Sequence, residues 1–167
     1  LVSHAYEYDS GEHAKGRLSH FTDDTGSTRY RYDALGRQVG EVRVIAGRTY
    51  ETRYGYDASA WLIEMIYPSG RGVHFIYDGQ GRLTGIDTGM PNGGRQNVVR
   101  EITYHPSGGV QGFSFGNGAI YRRTFDLQGR AEAYTLGSLS RTVHYDAASR
   151  ITGYSHNDRA FDQNFEY

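Results

Sequence analysis

Short segments in which apolar and polar residues alternate follow one another along the whole chain. Residues 27–32 alternate in this way, the polar turn Asp33-Ala34-Leu35-Gly36 follows, and residues 37–44 resume the alternation. Alternation over four to eight residues is typical of half-buried β-strands, because successive side chains point to opposite faces of a sheet. No segment keeps a period of 3.6 residues. The pattern therefore predicts an all-β fold of repeated antiparallel β-hairpins.

The first of these turns recurs with nearly constant spacing. Its aspartate position falls at Asp9, Asp33, Asp57, Asp78, His105, Asp126 and Asp146, in steps of 24, 24, 21, 27, 21 and 20 residues. A regular period over the whole chain predicts a single array of about seven repeats over residues 1–167. The residues that carry the repeat signature are Tyr30, Tyr32, Asp33, Gly36, Arg37, Tyr77, Asp78, Gly81, Arg82, Asp126, Gly129, Arg130, Tyr145 and Asp146.

Aspartate followed three residues later by glycine matches a type I turn. The aspartate can accept a hydrogen bond from the backbone two residues on, and the glycine can adopt positive φ where the turn runs into a bulged hairpin. The fifth repeat supports this with His105-Pro106-Ser107-Gly108, which has proline at the second position of the turn. Ala60 and Ser149 stand in the glycine position, so we expect their turns to be either strained or differently shaped.

A second, more variable turn is expected in each repeat. The candidates are Asp23-Asp24-Thr25-Gly26, Ala46-Gly47-Arg48, Pro68-Ser69-Gly70, Gly116-Asn117-Gly118 and Asn157-Asp158-Arg159. The longest connection, rich in glycine, is expected to be an exposed loop from Asp87 to Asn97. Seven hairpins give roughly 14 strands, and open sheets of that size usually curl, with the right-handed twist producing a spiral.

The repeated phrase resembles the YD repeat of the Rhs family, whose relatives include shell-forming components of insecticidal toxin complexes and the teneurin barrels of animals. The nearest matches run from Tyr30 to Val39 and from Tyr77 to Thr84, and the fifth repeat matches least. The resemblance implies a β-ribbon that spirals into a hollow shell around a toxic C-terminal domain of the same polypeptide. The Asp-Pro-x-Gly-Leu cleavage segment of many members is absent from this sequence. The chain is therefore expected to be an internal wall segment, cut from a longer protein.

Composition and charge exclude several classes of function. The chain has a net charge of −1 and no cysteine, so a nucleic-acid surface, a disulfide framework and a thiolate zinc site are not expected. The sequence offers no apolar run of about 20 residues for membrane insertion. Its seven histidines are scattered without ligand spacing, Asp23-Asp24-Thr25-Gly26 is too short to be a calcium loop, and no metal or cofactor is expected.

Two alternatives assign chemistry to the repeated residues. The 15 tyrosines could form a carbohydrate-binding or partner-binding face, and the Asp33–Arg37 and Asp78–Arg82 pairs could form an acid/base or anion site. We expect instead that Tyr30, Tyr32, Tyr54, Tyr56, Tyr77 and Tyr145 pack across strands with bonded hydroxyls. One motif repeated along the chain is not expected to form a single active site, so no catalytic residue is assigned and the chain is not expected to be an enzyme.

The resemblance also implies partners and a location. The expected partners are flanking repeats and an enclosed toxin domain of the parent chain, and exposed sheet edges could support self-association. A role in toxin encapsulation and delivery during bacterial competition implies a secreted or cell-surface protein.

Overall fold

A computed structural model describes residues 4–167, and within them fifteen β-strands and one short 3₁₀ helix, Arg159–Phe161. The strands are β1 (Ala5–Tyr8), β2 (Leu18–Asp23), β3 (Gly26–Tyr32), β4 (Gln38–Ile45), β5 (Arg48–Tyr56), β6 (Leu62–Ile66), β7 (Gly72–Tyr77), β8 (Leu83–Gly89), β9 (Gln96–Tyr104), β10 (Val110–Phe115), β11 (Ile120–Phe125), β12 (Ala131–Leu136), β13 (Leu139–Tyr145), β14 (Ile151–His156) and β15 (Gln163–Asn164).

The fifteen strands follow one another in a single sheet whose spatial order is the chain order. Neighbouring strands from β1 to β7 and from β9 to β15 are antiparallel, each joined to the next by a turn or short loop. This topology confirms the prediction of an all-β fold made of consecutive antiparallel hairpins. One strand beyond the expected 14 is present because the short β15 pairs with β14.

The chain divides into two compact units. The first comprises Leu1–Phe75 and Thr88–Arg95, and the second comprises Ile76–Asp87 and Gln96–Tyr167. Each unit has a thin core, since no described side chain of large volume is fully buried. Ala14, Ser19 and Thr28 are buried in the first unit, and Asp87 and Val143 in the second. Such small buried surfaces leave much of the stability to contacts along the sheet itself.

The aspartate turn has the geometry that its sequence predicts. The Gly36 N–H donates to the Asp33 carbonyl at 2.8 Å, the Asp33 N–H donates to the Arg37 carbonyl at 3.0 Å, and φ of Gly36 is 76°. The strand register shifts by one residue between Arg31 and Tyr32, which is the bulge expected where a type I turn meets a glycine with positive φ. The same pair of backbone hydrogen bonds closes the turns that begin at Asp57, Asp78, His105, Asp126 and Asp146.

Ala60 and Ser149 adopt this turn in spite of their side chains. Their φ angles are 66° and 64°, and each N–H donates to the carbonyl of the turn aspartate, Asp57 or Asp146. The expectation of a strained turn is therefore confirmed at both positions, and the alternative of a different turn shape is wrong. The closing hydrogen bonds hold both residues in a region that L-residues enter at a cost of about 1–2 kcal/mol.

Four connections differ from the sequence-based expectation. The exposed loop spans residues 90–95 only, because Asp87 belongs to β8 and Asn97 to β9. The turns after Tyr67 and Phe115 have the same two closing hydrogen bonds as the aspartate turn, because proline or asparagine suits the inner positions of a type I turn. The pattern missed the Gly137-Ser138 turn between β12 and β13, although glycine followed by serine between two strands is a hairpin signal.

Replacing Ala60 with glycine is expected to stabilise the protein by up to about 1 kcal/mol. Relief of the left-handed strain, about 1–2 kcal/mol, exceeds the added flexibility of glycine in the unfolded chain, about 0.5–1 kcal/mol. Ala60 is preferable to Ser149 for this test, since the Ser149 hydroxyl also accepts a hydrogen bond from Arg130. The measurement is the free energy of unfolding in urea.

The matched control is Gly129→Ala in the equivalent turn, where φ is 77° and the nearest atom to an added Cβ, apart from its chain neighbours, lies 3.9 Å away. This change is expected to lower the free energy of unfolding by a similar amount. A loss of stability in the Ala60→Gly variant would contradict the assignment of one strained turn to both sites.

Candidate functional site

The turn aspartate accepts three hydrogen bonds from its own hairpin. Oδ1 of Asp33 accepts the N–H groups of Leu35 at 3.0 Å and Arg37 at 2.9 Å, and Oδ2 accepts Nε of Arg37 at 2.7 Å. The same three bonds recur in the turns of Asp78, Asp126 and Asp146. In these turns the carboxylate accepts hydrogen bonds from the turn backbone and holds the arginine side chain at Nε.

These hydrogen bonds hold the carboxylates in the charged form. In Asp78 and Asp146 the largest cause is the bond from the backbone N–H of the following arginine, which lowers the pKa below its usual value. In Asp33 and Asp126 burial acts most strongly and raises the pKa, but the combined backbone and guanidinium bonds from Arg37 and Arg130 outweigh it, so the pKa is lowered. An aspartate with a lowered pKa is poorly suited to act as a general acid near neutral pH.

In five repeats the arginine that follows the turn also reaches the next repeat. Cζ of Arg37 lies 4.8 Å from the ring centroid of Tyr56, and Nη1 of Arg37 donates to the Asp57 carbonyl at 3.2 Å. The geometry is that of a cation–π contact. The same stacking joins Arg17 to Tyr32 at 5.7 Å, Arg82 to Tyr104 at 5.8 Å, Arg130 to Tyr145 at 4.4 Å and Arg150 to Tyr167 at 5.0 Å.

The stacked tyrosine returns a hydrogen bond to the preceding repeat. In each case its hydroxyl donates to the carbonyl of the residue that follows the stacking arginine. The bonds are Tyr32 to Leu18, Tyr56 to Gln38, Tyr104 to Leu83, Tyr145 to Ala131 and Tyr167 to Ile151, with lengths from 2.7 to 2.9 Å. We call this combination of arginine stacking and tyrosine hydroxyl bonding the repeat contact. Three of the expected tyrosines, Tyr32, Tyr56 and Tyr145, have their hydroxyls bonded in this way.

One pair of repeats replaces all the residues of the contact together. Gly109 stands in the arginine position of the fifth repeat, and Phe125, which has no hydroxyl, stands in the tyrosine position of the sixth. The ring of His105, in the aspartate position, stacks on Phe125 with centroids 4.5 Å apart. A Cβ atom on Gly109 would lie 3.1 Å from Cζ of Phe125. Here ring stacking fills the space that a guanidinium occupies between five other pairs of repeats.

The remaining signature residues lie in the same turns and strands. Gly81 and Gly129 have φ of 78° and 77° in their turns. Tyr77 precedes Asp78, and the preceding repeat has Trp61 in its arginine position. Tyr30 lies opposite Glu41 in the β3–β4 ladder, and its pKa is raised, first by burial and then by the charge of Glu41.

A second recurring arginine contact was not predicted from the sequence. Arg31 crosses Gly40 and forms an ion pair with Glu51, and a Cβ on Gly40 would lie 2.8 Å from Nε of Arg31. Similarly, Nη1 of Arg100 would lie 3.0 Å from a Cβ on Gly85, and its Nη2 lies 2.7 Å from the buried Asp87. Both glycines come three residues after a turn arginine. That spacing, Arg-x-x-Gly, is the signal that could have revealed them.

The signature residues do not converge on a cavity. The second unit contains a partly open cavity of about 710 Å³ lined by residues such as Tyr134, Arg141, His156 and Phe161, and none of the signature residues lines it. Among residues 4–167, no three side chains of His, Cys, Asp or Glu group together as metal ligands. Over the same residues, no helix has the length and apolar character that a membrane span requires. The geometry therefore suits a repeated structural contact.

Comparisons with known proteins agree on one architecture. The family model described as teneurin YD-shell matches residues 5–99. The solved TcdB2–TccC3 complex matches with a TM-score of 0.83 and 15% identity, and the Tc holotoxin pore of Photorhabdus luminescens with a TM-score of 0.80 and 15% identity. Each match covers 92% of this chain and 9% of that chain. No curated protein sequence matches the chain.

Acid is expected to destabilise the protein through the turn aspartates. Because folding lowers their pKa, their contribution is present above the unfolded pKa of about 3.9 and is lost as the pH falls through the lower folded values. Unfolding free energies measured at a series of pH values should therefore decrease below about pH 4. The Asp126→Asn variant lacks one such group, so its free energy of unfolding should decrease less steeply as the pH falls. An identical slope in both proteins would contradict this account.

Replacing Tyr145 with phenylalanine is expected to lower the free energy of unfolding by about 0.5–1.5 kcal/mol, because the carbonyl of Ala131 loses its hydroxyl donor. The control is Tyr50→Phe, since the Tyr50 hydroxyl makes no hydrogen bond within the described residues and its side chain is exposed. That change is expected to stay within about 0.5 kcal/mol. Equal effects at the two tyrosines would show that the hydroxyl bond contributes nothing. Urea denaturation measures both.

Proposed function

We propose, from the premise that this chain belongs to the teneurin YD-shell family, that it forms a wall segment of a shell enclosing a toxin domain of its parent polypeptide. In this proposal the seven repeats act as one continuous array and carry out no catalysis of their own. The expected partners are flanking repeats and the enclosed domain. The shell supports delivery of that domain from a secreted or cell-surface protein.

The observation that supports a wall function most strongly is the repeat contact. It uses the arginine guanidinium and the tyrosine hydroxyl, and it recurs between five pairs of successive repeats. In four of these pairs the turn aspartate also holds the arginine. Residues of an active site act together at one place. Here each set instead links its own hairpin to the next, as a continuous wall requires.

The solved relatives supply the rest of the proposal. They are Tc toxin assemblies, but this chain spans only 9% of the matched chains, and at 15% identity the likeness establishes the fold. Encapsulation, delivery and location are therefore proposals that follow from the resemblance to the Rhs family. The carbohydrate-binding alternative has less support, because Tyr32, Tyr56 and Tyr145 already donate their hydroxyls to backbone carbonyls.

Protease protection in the parent polypeptide tests this function. With an intact shell, the enclosed domain is expected to resist digestion at least roughly tenfold longer than the same domain expressed alone, because a protease cannot reach folded or enclosed chain without opening. Combining Arg130→Ala with Tyr145→Ala should open the wall and remove the protection. The matched control is Leu127→Ala at a fully exposed turn residue, which should leave the protection unchanged.

Equal digestion of the enclosed domain in the parent polypeptide and alone would contradict the container function. A glycan titration provides the second readout. Saturable binding to this chain that is lost on replacing Tyr32 and Tyr77 would instead favour the carbohydrate-binding alternative.

A further inference from the structure

The loop of residues 90–95, which joins the neighbouring strands β8 and β9, contains an asparagine followed by a glycine. Asn92 is exposed, as is every other residue of the loop, and no hydrogen bond within residues 4–167 holds its side-chain amide. One backbone bond closes a turn here, since the Gly93 N–H donates to the Met90 carbonyl at 2.9 Å. The Asn92 side chain is therefore free to rotate about its own bonds.

A second asparagine–glycine pair, Asn117-Gly118, stands in the same position of another turn. In both turns asparagine is the third residue, and the glycine N–H donates to the carbonyl of the first residue. The second turn is also held by the Phe115 N–H, which donates to the Ala119 carbonyl at 2.8 Å. In addition, Oδ1 of Asn117 accepts the Ala119 N–H at 3.0 Å. The two pairs thus share a sequence and a turn position but differ in how firmly they are held.

An asparagine followed by glycine can lose its side-chain amide in an intramolecular reaction. The glycine backbone nitrogen gives up its proton and attacks Cγ of the asparagine, and the new C–N bond closes a cyclic imide. The bond from Cγ to the amide nitrogen breaks, and that nitrogen leaves as ammonia. Water then opens the imide at one carbonyl to give aspartate, or at the other to give isoaspartate. Glycine favours the attack because it has no Cβ atom beside the nitrogen.

We propose that Asn92 is a deamidation site of this protein and that the turn around Asn117 protects the second pair. Attack requires the glycine N–H to leave its carbonyl and the asparagine side chain to turn toward the nitrogen. At Asn92 only the bond from Gly93 opposes this movement. At Asn117 the bond from Ala119 to Oδ1 must break as well, in a turn that a further backbone bond keeps closed. Each additional bond slows the reaction.

Conversion changes both the charge and the main chain of the loop. A carboxylate replaces a neutral amide, so the net charge of −1 becomes more negative by one unit. Isoaspartate also adds a carbon atom to the main chain. The loop packs on the turn between β6 and β7, where a Cβ atom on Gly70 would lie 3.7 Å from Pro91, so a longer main chain alters this contact. The inference goes beyond the wall function, because the reaction needs only the chain and water.

Peptide mapping of the full chain measures both sites in one sample. After incubation of the folded protein in mildly alkaline buffer, trypsin cuts after arginine and places Asn92 and Asn117 in separate peptides, residues 83–95 and 101–122. Mass spectrometry follows the replacement of amide by carboxylate in each peptide. Asn92 is expected to convert at least roughly tenfold faster than Asn117, which corresponds to about 1.4 kcal/mol in the barrier. In urea, where the turns are lost, the two rates should become similar.

The matched variant is Gly93→Ala, which leaves Asn92 in place. Gly93 does not have positive φ, and an added Cβ would lie no closer than 3.6 Å to Met90, so the fold should be retained, as circular dichroism can verify. The methyl group should slow conversion at Asn92 at least roughly tenfold.

Three results would each overturn the proposal: an absence of conversion at Asn92, equal rates at Asn92 and Asn117 in the folded protein, or an unaltered rate in the Gly93→Ala variant. Protection of the enclosed domain from protease is a separate measurement that these results do not affect, so the proposed function and this inference can fail independently.

Discussion

The structure depends on an arginine guanidinium placed between two hairpins. Its Nε is fixed by the aspartate of its own turn, and its face lies over the tyrosine of the next repeat, as in Asp33, Arg37 and Tyr56. A lysine could not serve both partners, because the planar guanidinium bonds in its plane and stacks on its face. An exposed ion pair alone contributes little. The contact is effective because it also satisfies backbone groups and recurs in a sheet with almost no buried core.

Between the fifth and sixth repeats the residues of the contact are replaced together. Where the arginine position holds Gly109, the tyrosine position loses its hydroxyl as Phe125, and His105 supplies a second ring. A guanidinium left without its aspartate, or a hydroxyl left without its carbonyl, would be a polar group without a partner. The glycines that Arg31 and Arg100 cross leave room for these side chains, because an added Cβ atom there would force the arginine, which pairs with a carboxylate, to shift.

Much of this arrangement could be predicted from the sequence, and the remainder depends on contacts between strands. The Asp-x-x-Gly motif determines a local turn, so the geometry of this turn was predictable, including the strained φ at Ala60. Alternation assigns Tyr32 to a face of the sheet but does not identify the carbonyl of Leu18 as its partner. For the same reason the path of Arg31 across Gly40 was missed. The extent of β8 through Gly89 was underestimated because aspartate and glycine, which stand at Asp87 and Gly89, are depleted in strands.

A double-mutant cycle on Arg37 and Tyr56 measures whether these two side chains of different repeats stabilise the sheet together. Unfolding free energies of the two alanine variants and of the double variant give their interaction energy. We expect a favourable coupling of about 0.5–2 kcal/mol, from the stacking and the neighbouring backbone bonds. Additive effects, within about 0.3 kcal/mol, would contradict it and leave each hairpin stable independently of the next.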